Sequence, residues 1–205
     1  MTEVQTDPES AARLRAELEA SPLWREAFRA QNPRMLEPGR DRVVEMRAFD
    51  IDEWVQVAPG GVYEYWFSER GHARRQFRTA DLRGIMICLV QAGLASAGKW
   101  VLRSSAYDRP PGFRLSQSGD GPIVVEWDDD GWAEFEGARP LRSALTFAWL
   151  MLADADDLAA TVRSGDGAPL MLVGSALQGE DRPTGLPTLQ SWKTWLAERE
   201  VTADV

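Results

Sequence analysis

Residues 54–98 read WVQVAPGGVYEYWFSERGHARRQFRTADLRGIMICLVQAGLASAG, and the order of turns and apolar runs within them settles the architecture. Trp54-Val55-Gln56-Val57 alternates in character, Pro59-Gly60-Gly61 supplies the φ freedom of a tight reversal, and 62–67 is rich in residues that fill pleated surfaces. Together they predict a β-hairpin. Arg70-Gly71 turns the chain again into 72–77, so the hairpin grows into a meander. Thr79 is then the expected cap of a helix whose first turn carries Asp81. Along that helix Leu82, Ile85, Met86, Leu89, Val90 and Gly93 recur at steps of three and four, so one stripe faces the sheet. The unit is a ββββα-like layer.

Upstream, Thr6-Asp7-Pro8-Glu9 has the form of a helix start, with Asp7 or Thr6 as cap and Pro8 where a missing N–H costs nothing. The helix is expected to reach Ala20, with a thin seam of Leu14 and Leu18 typical of a peripheral position. Ser21-Pro22 repeats the signal, and 23–30 predict a second short helix that buries Trp24 and Phe28. Residues 35–41 read as a connector and 42–49 as a first strand with imperfect alternation. Downstream, 100–102 reads as a short strand, 106–112 as a loop, and 113–117 with 123–127 as a hairpin around Ser118-Gly119-Asp120-Gly121. Residues 128–131 turn into a further strand at 132–136. Residues 141–153 form an apolar helix with Leu141, Leu145, Ala148, Trp149 and Leu152 on one stripe, and 154–163 continue or restart it. A short strand at 170–173, an exposed loop at 175–187 and a final helix at 191–200 complete the reading.

The expected whole is a single α+β domain over 1–205. It has a peripheral segment of two N-terminal helices (1–33), a core of mostly antiparallel sheet with packed helices (42–175) and a C-terminal helical segment (188–200). Strands followed by a buried helix occur twice, at 54–98 and 113–153, which leaves a duplication open.

An apolar fraction of 44% with nine Trp supplies a substantial core. The balance of 32 acidic against 23 basic residues, net −9, argues against a nucleic acid partner, because phosphate binding needs a concentrated basic face. A basic partner fits it better, although solubility alone would also be served. The single Cys88 excludes an internal disulfide, and its apolar neighbours suggest a buried thiol in a reducing compartment. Residues 1–10 lack the features of a signal peptide, and no stretch approaches about eighteen apolar residues. A cytoplasmic protein with no membrane partner is expected.

The densest charge lies in 126–136, EWDDDGWAEFE, where Glu126, Asp128, Asp129, Asp130, Glu134 and Glu136 bring six carboxylates with no base among them. An EF-hand needs its glycine sixth, whereas Gly131 falls fourth from Asp128, so that cation site fails. What is left is a tip of solvated acids or an acidic contact patch for a basic partner. Trp127 and Trp132 flank the turn, which suits a hot spot engaging Arg or Lys, unless both indoles pack beneath the hairpin. His72 is the single histidine, and no G-x-S-x-G elbow occurs, so a catalytic triad would have to use His72 without that setting. Neither phosphate-loop pattern occurs, and neither metal nor cofactor is expected. The basic set Arg70, His72, Arg74, Arg75 and Arg78 admits RNA stacking or, alternatively, a solvated strand face paired with neighbouring acids.

The segment Gly61-Val62-Tyr63-Glu64-Tyr65-Trp66-Phe67-Ser68-Glu69-Arg70-Gly71, leading to Phe77-Arg78-Thr79-Ala80-Asp81-Leu82, resembles bacterial immunity proteins of polymorphic toxin systems. Many of these carry a strand ending in an E-R-G turn, a further strand, then F-x-[ST]-x-x-[AL] opening a helix. The resemblance spans 54–93. It implies a cytoplasmic, non-enzymatic α+β protein that binds a cognate toxin domain and occludes its active site. It transfers no functional residues, because the matched positions are structural. The expected partner surface is therefore Glu126, Trp127, Asp128, Asp129, Asp130, Trp132, Glu134 and Glu136, facing a toxin with a basic surface. The alternatives are a small-ligand-binding regulatory domain and an enzyme using His72 with Arg74, Arg75 or Tyr65.

Overall fold

The computed structural model describes residues 7–163 apart from 22, 38–41, 97–109, 111, 129 and 138–139. Its elements run α1 (Pro8–Ala20), α2 (Leu23–Ala27), a 3-10 turn (Arg29–Gln31), β1 (Arg34–Met35), β2 (Arg42–Ala48), β3 (Ile51–Ala58), β4 (Val62–Glu69), β5 (His72–Thr79) and α3 (Leu82–Ser96). The chain continues through β6 (Phe113–Gln117), β7 (Ile123–Trp127), β8 (Gly131–Phe135), α4 (Pro140–Met151) and α5 (Ala155–Arg163). All eight strands join one antiparallel sheet in the order β1-β2-β3-β4-β5-β8-β7-β6. The chain is thus α+β, with a sheet extended by the second meander. That meander folds back so that β8 lies against β5, through Phe77↔Phe135, Arg78↔Glu134 and Thr79↔Ala133. Two meander-plus-helix units therefore meet antiparallel at one seam.

Every described helix lies on one face of the sheet: α1 over β2 and β3, α3 over β4 and β5, α4 over β7 and β8. Strand alternation sends Val44, Met46, Val55, Val57, Tyr63, Phe77, Val125 and Phe135 to that side, all fully or nearly fully buried. Phe147 of α4 sits at the centre of a ring cage, with centroids of Phe135, Phe77 and Trp127 at 5.2, 5.4 and 5.6 Å. Gly93 fixes a second close approach, since a Cβ there would stand 2.7 Å from the Ala27 backbone. Only glycine lets α2 and α3 pack so closely.

Several boundaries differ from expectation for local reasons. Asp81, not Thr79, caps α3: its carboxylate accepts from the Gly84 N–H at 2.8 Å, while the Thr79 hydroxyl accepts from the Asp81 N–H and donates to the Trp132 carbonyl. The expected connector at 35–41 begins inside β1, where Met35 pairs with Val44. The second helix ends at Ala27 and tightens into the 3-10 turn. Leu141 and Leu152, expected on the buried stripe of α4, are exposed at its ends. The expectations at 100–102, 170–173, 175–187 and 191–200 lie outside the described residues.

A buried carboxylate interrupts the helix-covered face. Glu53 is buried there, accepting from the Tyr65 hydroxyl at 2.7 Å and from Gln31 at 3.2 Å. Burial drives its pKa up, the Tyr65 hydrogen bond opposes the rise, and the result is about 6. Burial, and then the Glu53 charge, push the Cys88 thiol well above its ordinary range, as expected of an inert buried cysteine.

Candidate partner-binding face

The other face of the sheet carries no described helix, and two β-bulges give it its character. In β2, Arg42 opposes Gln56 and Val44 opposes Val55, so Val43 is the extra residue. In β5, Arg75 opposes Trp66 and Phe77 opposes Tyr65, so Gln76 is extra. Strict alternation would send one member of each pair Arg42/Glu45 and Arg75/Arg78 into the core. The bulges place all four on the open face instead.

These side chains form a connected network. Glu45 is buried and accepts from Arg34 and Arg42, each at 3.0 Å, with Arg47 at 3.6 Å. Burial works against its ionisation, but the three guanidiniums prevail and hold its carboxyl below the ordinary value. Trp54 and Trp66, paired directly across β3 and β4, stack parallel at 5.8 Å and 6°, and the Arg42 guanidinium lies 4.0 Å over Trp54. Gln56 accepts from the Trp54 indole and donates to Glu64, which also accepts from the Trp66 indole and from Arg75. Arg75 reaches on to Glu136, and Arg78 grips Glu134 with two bonds of 2.6 and 2.7 Å while its guanidinium sits 5.7 Å over Trp132.

The acidic cluster read from the sequence is therefore divided. Glu134 and Glu136 are neutralised across the strands by Arg78 and Arg75, and Glu126 lies 3.6 Å from Arg114. No base lies among them in the sequence 126–136, yet bases from other strands meet them in space. Asp128 and Asp130 are exposed at the β7–β8 turn, and Asp129 lies outside the described residues. Trp132 is half-buried on the open face. Trp127, expected on the partner surface unless it packed beneath the hairpin, lies beneath it: it is 7% exposed, on the helix side, packed against Phe113 and Phe147, and is not part of the open face. Gly131 stands opposite it and leaves the room its ring occupies. Arg75 and Arg78 are paired with acids of neighbouring strands, one of the two alternatives that the sequence left open for them, whereas Arg42, Glu45, Trp54, Glu64 and Trp66 were missed as members of the same set.

No family model matches the chain, and no curated protein matches it. Among solved structures it is similar to Rv3902c from M. tuberculosis, with a TM-score of 0.55, 12% identity, and coverage of 73% of this chain and 92% of that chain. At that identity the likeness is one of fold.

His72 is exposed at the start of β5, opposite Glu69, not at the floor of a cleft. Among the described residues no group of three or more His, Cys, Asp or Glu side chains is placed to hold a metal ion, and no helix is long and apolar enough to cross a membrane. A groove of about 440 Å³ runs between α1, α3 and α5, floored by Leu82, Met86, Val90 and Leu158, with Glu17 and Arg83 among its polar lining. Arg83 is committed there, donating to the Met151 and Ala153 carbonyls that end α4.

Proposed function

We propose that this chain is an immunity protein: cytoplasmic and non-enzymatic, it binds a cognate toxin domain and neutralises it by occluding the active site. One observation carries the reading beyond the sequence resemblance. The open sheet face is a pre-ordered array of indoles and guanidiniums whose charges are already paired, so binding would freeze few new rotamers. Arg and Trp are the residue types that dominate interface energetics, and here they are locked in place by their neighbours.

In this reading Trp132, Glu126, Glu134 and Glu136, with Arg75 and Arg78 beside them, form part of the contact surface. Asp128 and Asp130, exposed at the β7–β8 turn, steer a partner with a basic surface, assisted by the net charge of −9. Trp127 supports the hairpin from beneath. A second reading, small-ligand binding, draws on the groove beside α3.

The test takes the purified product of a neighbouring reading frame that encodes a toxin-like domain. The expected result is a stoichiometric complex with loss of toxin activity. The double variant Asp128→Asn, Asp130→Asn should slow association by about 3- to 10-fold at low salt, with the difference fading as salt rises. Failure of the wild-type protein to bind would reject the immunity reading. An unchanged association rate at low salt would reject only the acidic turn as its steering element.

A further inference from the structure

The register Ala48↔Ile51 closes β2 and β3 with a two-residue loop, Phe49-Asp50. Phe49 has φ 56 and is 108% exposed, so its ring touches nothing that would shield it. Tight hairpin loops place glycine, asparagine or aspartate at positive φ, because a Cβ there crowds the backbone and a bulky residue is the least suited. The fold has no use for a phenylalanine at this position.

The loop carrying it is nonetheless bonded to its neighbour. The Asp50 carbonyl accepts from the Arg70 N–H at 3.1 Å, and the Asp50 carboxylate accepts from Arg70 Nε at 3.2 Å. Arg70-Gly71, with φ of 50 and 81, is itself the two-residue loop between β4 and β5. Two neighbouring hairpin tips are thus fused into one corner. Beside it Ile51 and Phe67 are half-buried, the Arg74 guanidinium lies 5.2 Å over Phe67, and His72 is exposed. Among the described residues no carboxylate lies within ion-pair distance of Arg74. The Arg47–Asp52 ion pair, at 3.1 Å, joins the corner to the open face.

We infer that this corner inserts into the partner, with Phe49 seated in an apolar cleft of the toxin domain whose rim carries a carboxylate facing Arg74. An aromatic anchor on a tip bonded to its neighbour, flanked by guanidiniums, has the composition of an interface hot spot and loses little entropy on docking. The inference rests on the proposed immunity function and names the structural element that would reach the toxin's cleft.

Phe49→Asn separates the ring's role from any role in folding, because asparagine accepts positive φ and stays polar. The melting temperature should hold or rise by about 2–4 °C, while the Kd for the toxin domain, measured by isothermal titration, should weaken by about 30-fold or more. An unchanged Kd with intact wild-type binding would overturn this inference and spare the immunity reading. Absence of wild-type binding would overturn both. Sedimentation of the free protein adds a third outcome: self-association abolished by Phe49→Asn, with toxin affinity untouched, would assign the corner to a second copy and overturn the toxin cleft.

Discussion

The two faces of this one sheet are held by different physics. On the helix-covered face, contacts are apolar and non-directional, and each large side chain that leaves water contributes about 1.5–3 kcal/mol. On the open face the contacts are directional. Glu45, Glu64 and Glu134 accept from guanidiniums and indoles at hydrogen-bond distance, yet partly exposed ion pairs of this kind add only about 0–1 kcal/mol each. The helix side therefore carries the stability, and the open side carries a fixed pattern of charge and aromatic area that folding alone does not require.

The largest expected effect follows from that division. Phe147 packs at the centre of Phe77, Phe135 and Trp127 and is fully buried. Phe147→Ala should lower unfolding free energy by about 3–5 kcal/mol in urea titration. A loss under about 1 kcal/mol would show that the seam between β5 and β8 is not held from the helix side. Partner affinity per folded molecule should not move.

A smaller effect comes from the residue that breaks the rule, Glu53, a carboxylate on the apolar side. Its folded pKa of about 6 lies above its ordinary 4.5, so between those values the folded state binds more proton than the unfolded state. Its contribution to stability is therefore fullest below pH 4.5, and it falls as pH rises to about 6. The loss above pH 6 is on the order of 2 kcal/mol. Glu53→Gln should be more stable than the wild type at pH 7.5 and lose that advantage near pH 4.5. Parallel denaturation curves for the two proteins across that range would show that the Tyr65 and Gln31 hydrogen bonds, not burial, set the carboxyl's affinity for protons.

Much of the covered face was legible in the sequence, and little of the open one. The hairpins around Gly60-Gly61 and Arg70-Gly71 and the apolar stripe of α3 follow from local periodicity, as do α4 and the two N-terminal helices. The open face depends on Val43 and Gln76 being skipped by the pairing register, which no local pattern announces. The trace was there: alternation in 42–49 is imperfect because a bulge interrupts it, and Arg75-Gln76-Phe77-Arg78 spaces its two arginines by three for the same reason. Reading 126–136 alone made its acids look unpaired, because Arg78, Arg75 and Arg114 come from strands 12 or more residues away. Trp127 and Trp132 looked equivalent as flanks of one turn. Pairing with Gly131 sends Trp127 to the core, and Trp132 takes the opposite face.

The smallest effect probes the open face on its own terms. Arg78 and Glu134 make the best-formed pair there, bidentate and directly opposed in register, with side chains 35% and 17% exposed. Arg114 and Glu126 form a looser pair at 3.6 Å and 69% and 45% exposure. A double-mutant cycle to alanine in stability should give a coupling of about 1 kcal/mol for Arg78–Glu134 and about zero for Arg114–Glu126, both shrinking as salt rises. The two arginine losses should differ in a second way, because Arg78 also lies over Trp132 and its removal frees that indole to turn. If the open face serves recognition, the Arg78 variant should weaken partner binding by more than its stability change accounts for. A coupling above about 3 kcal/mol, a value typical of buried pairs, would instead make this salt bridge part of what holds β5 against β8, and the division of labour between the two faces would not stand.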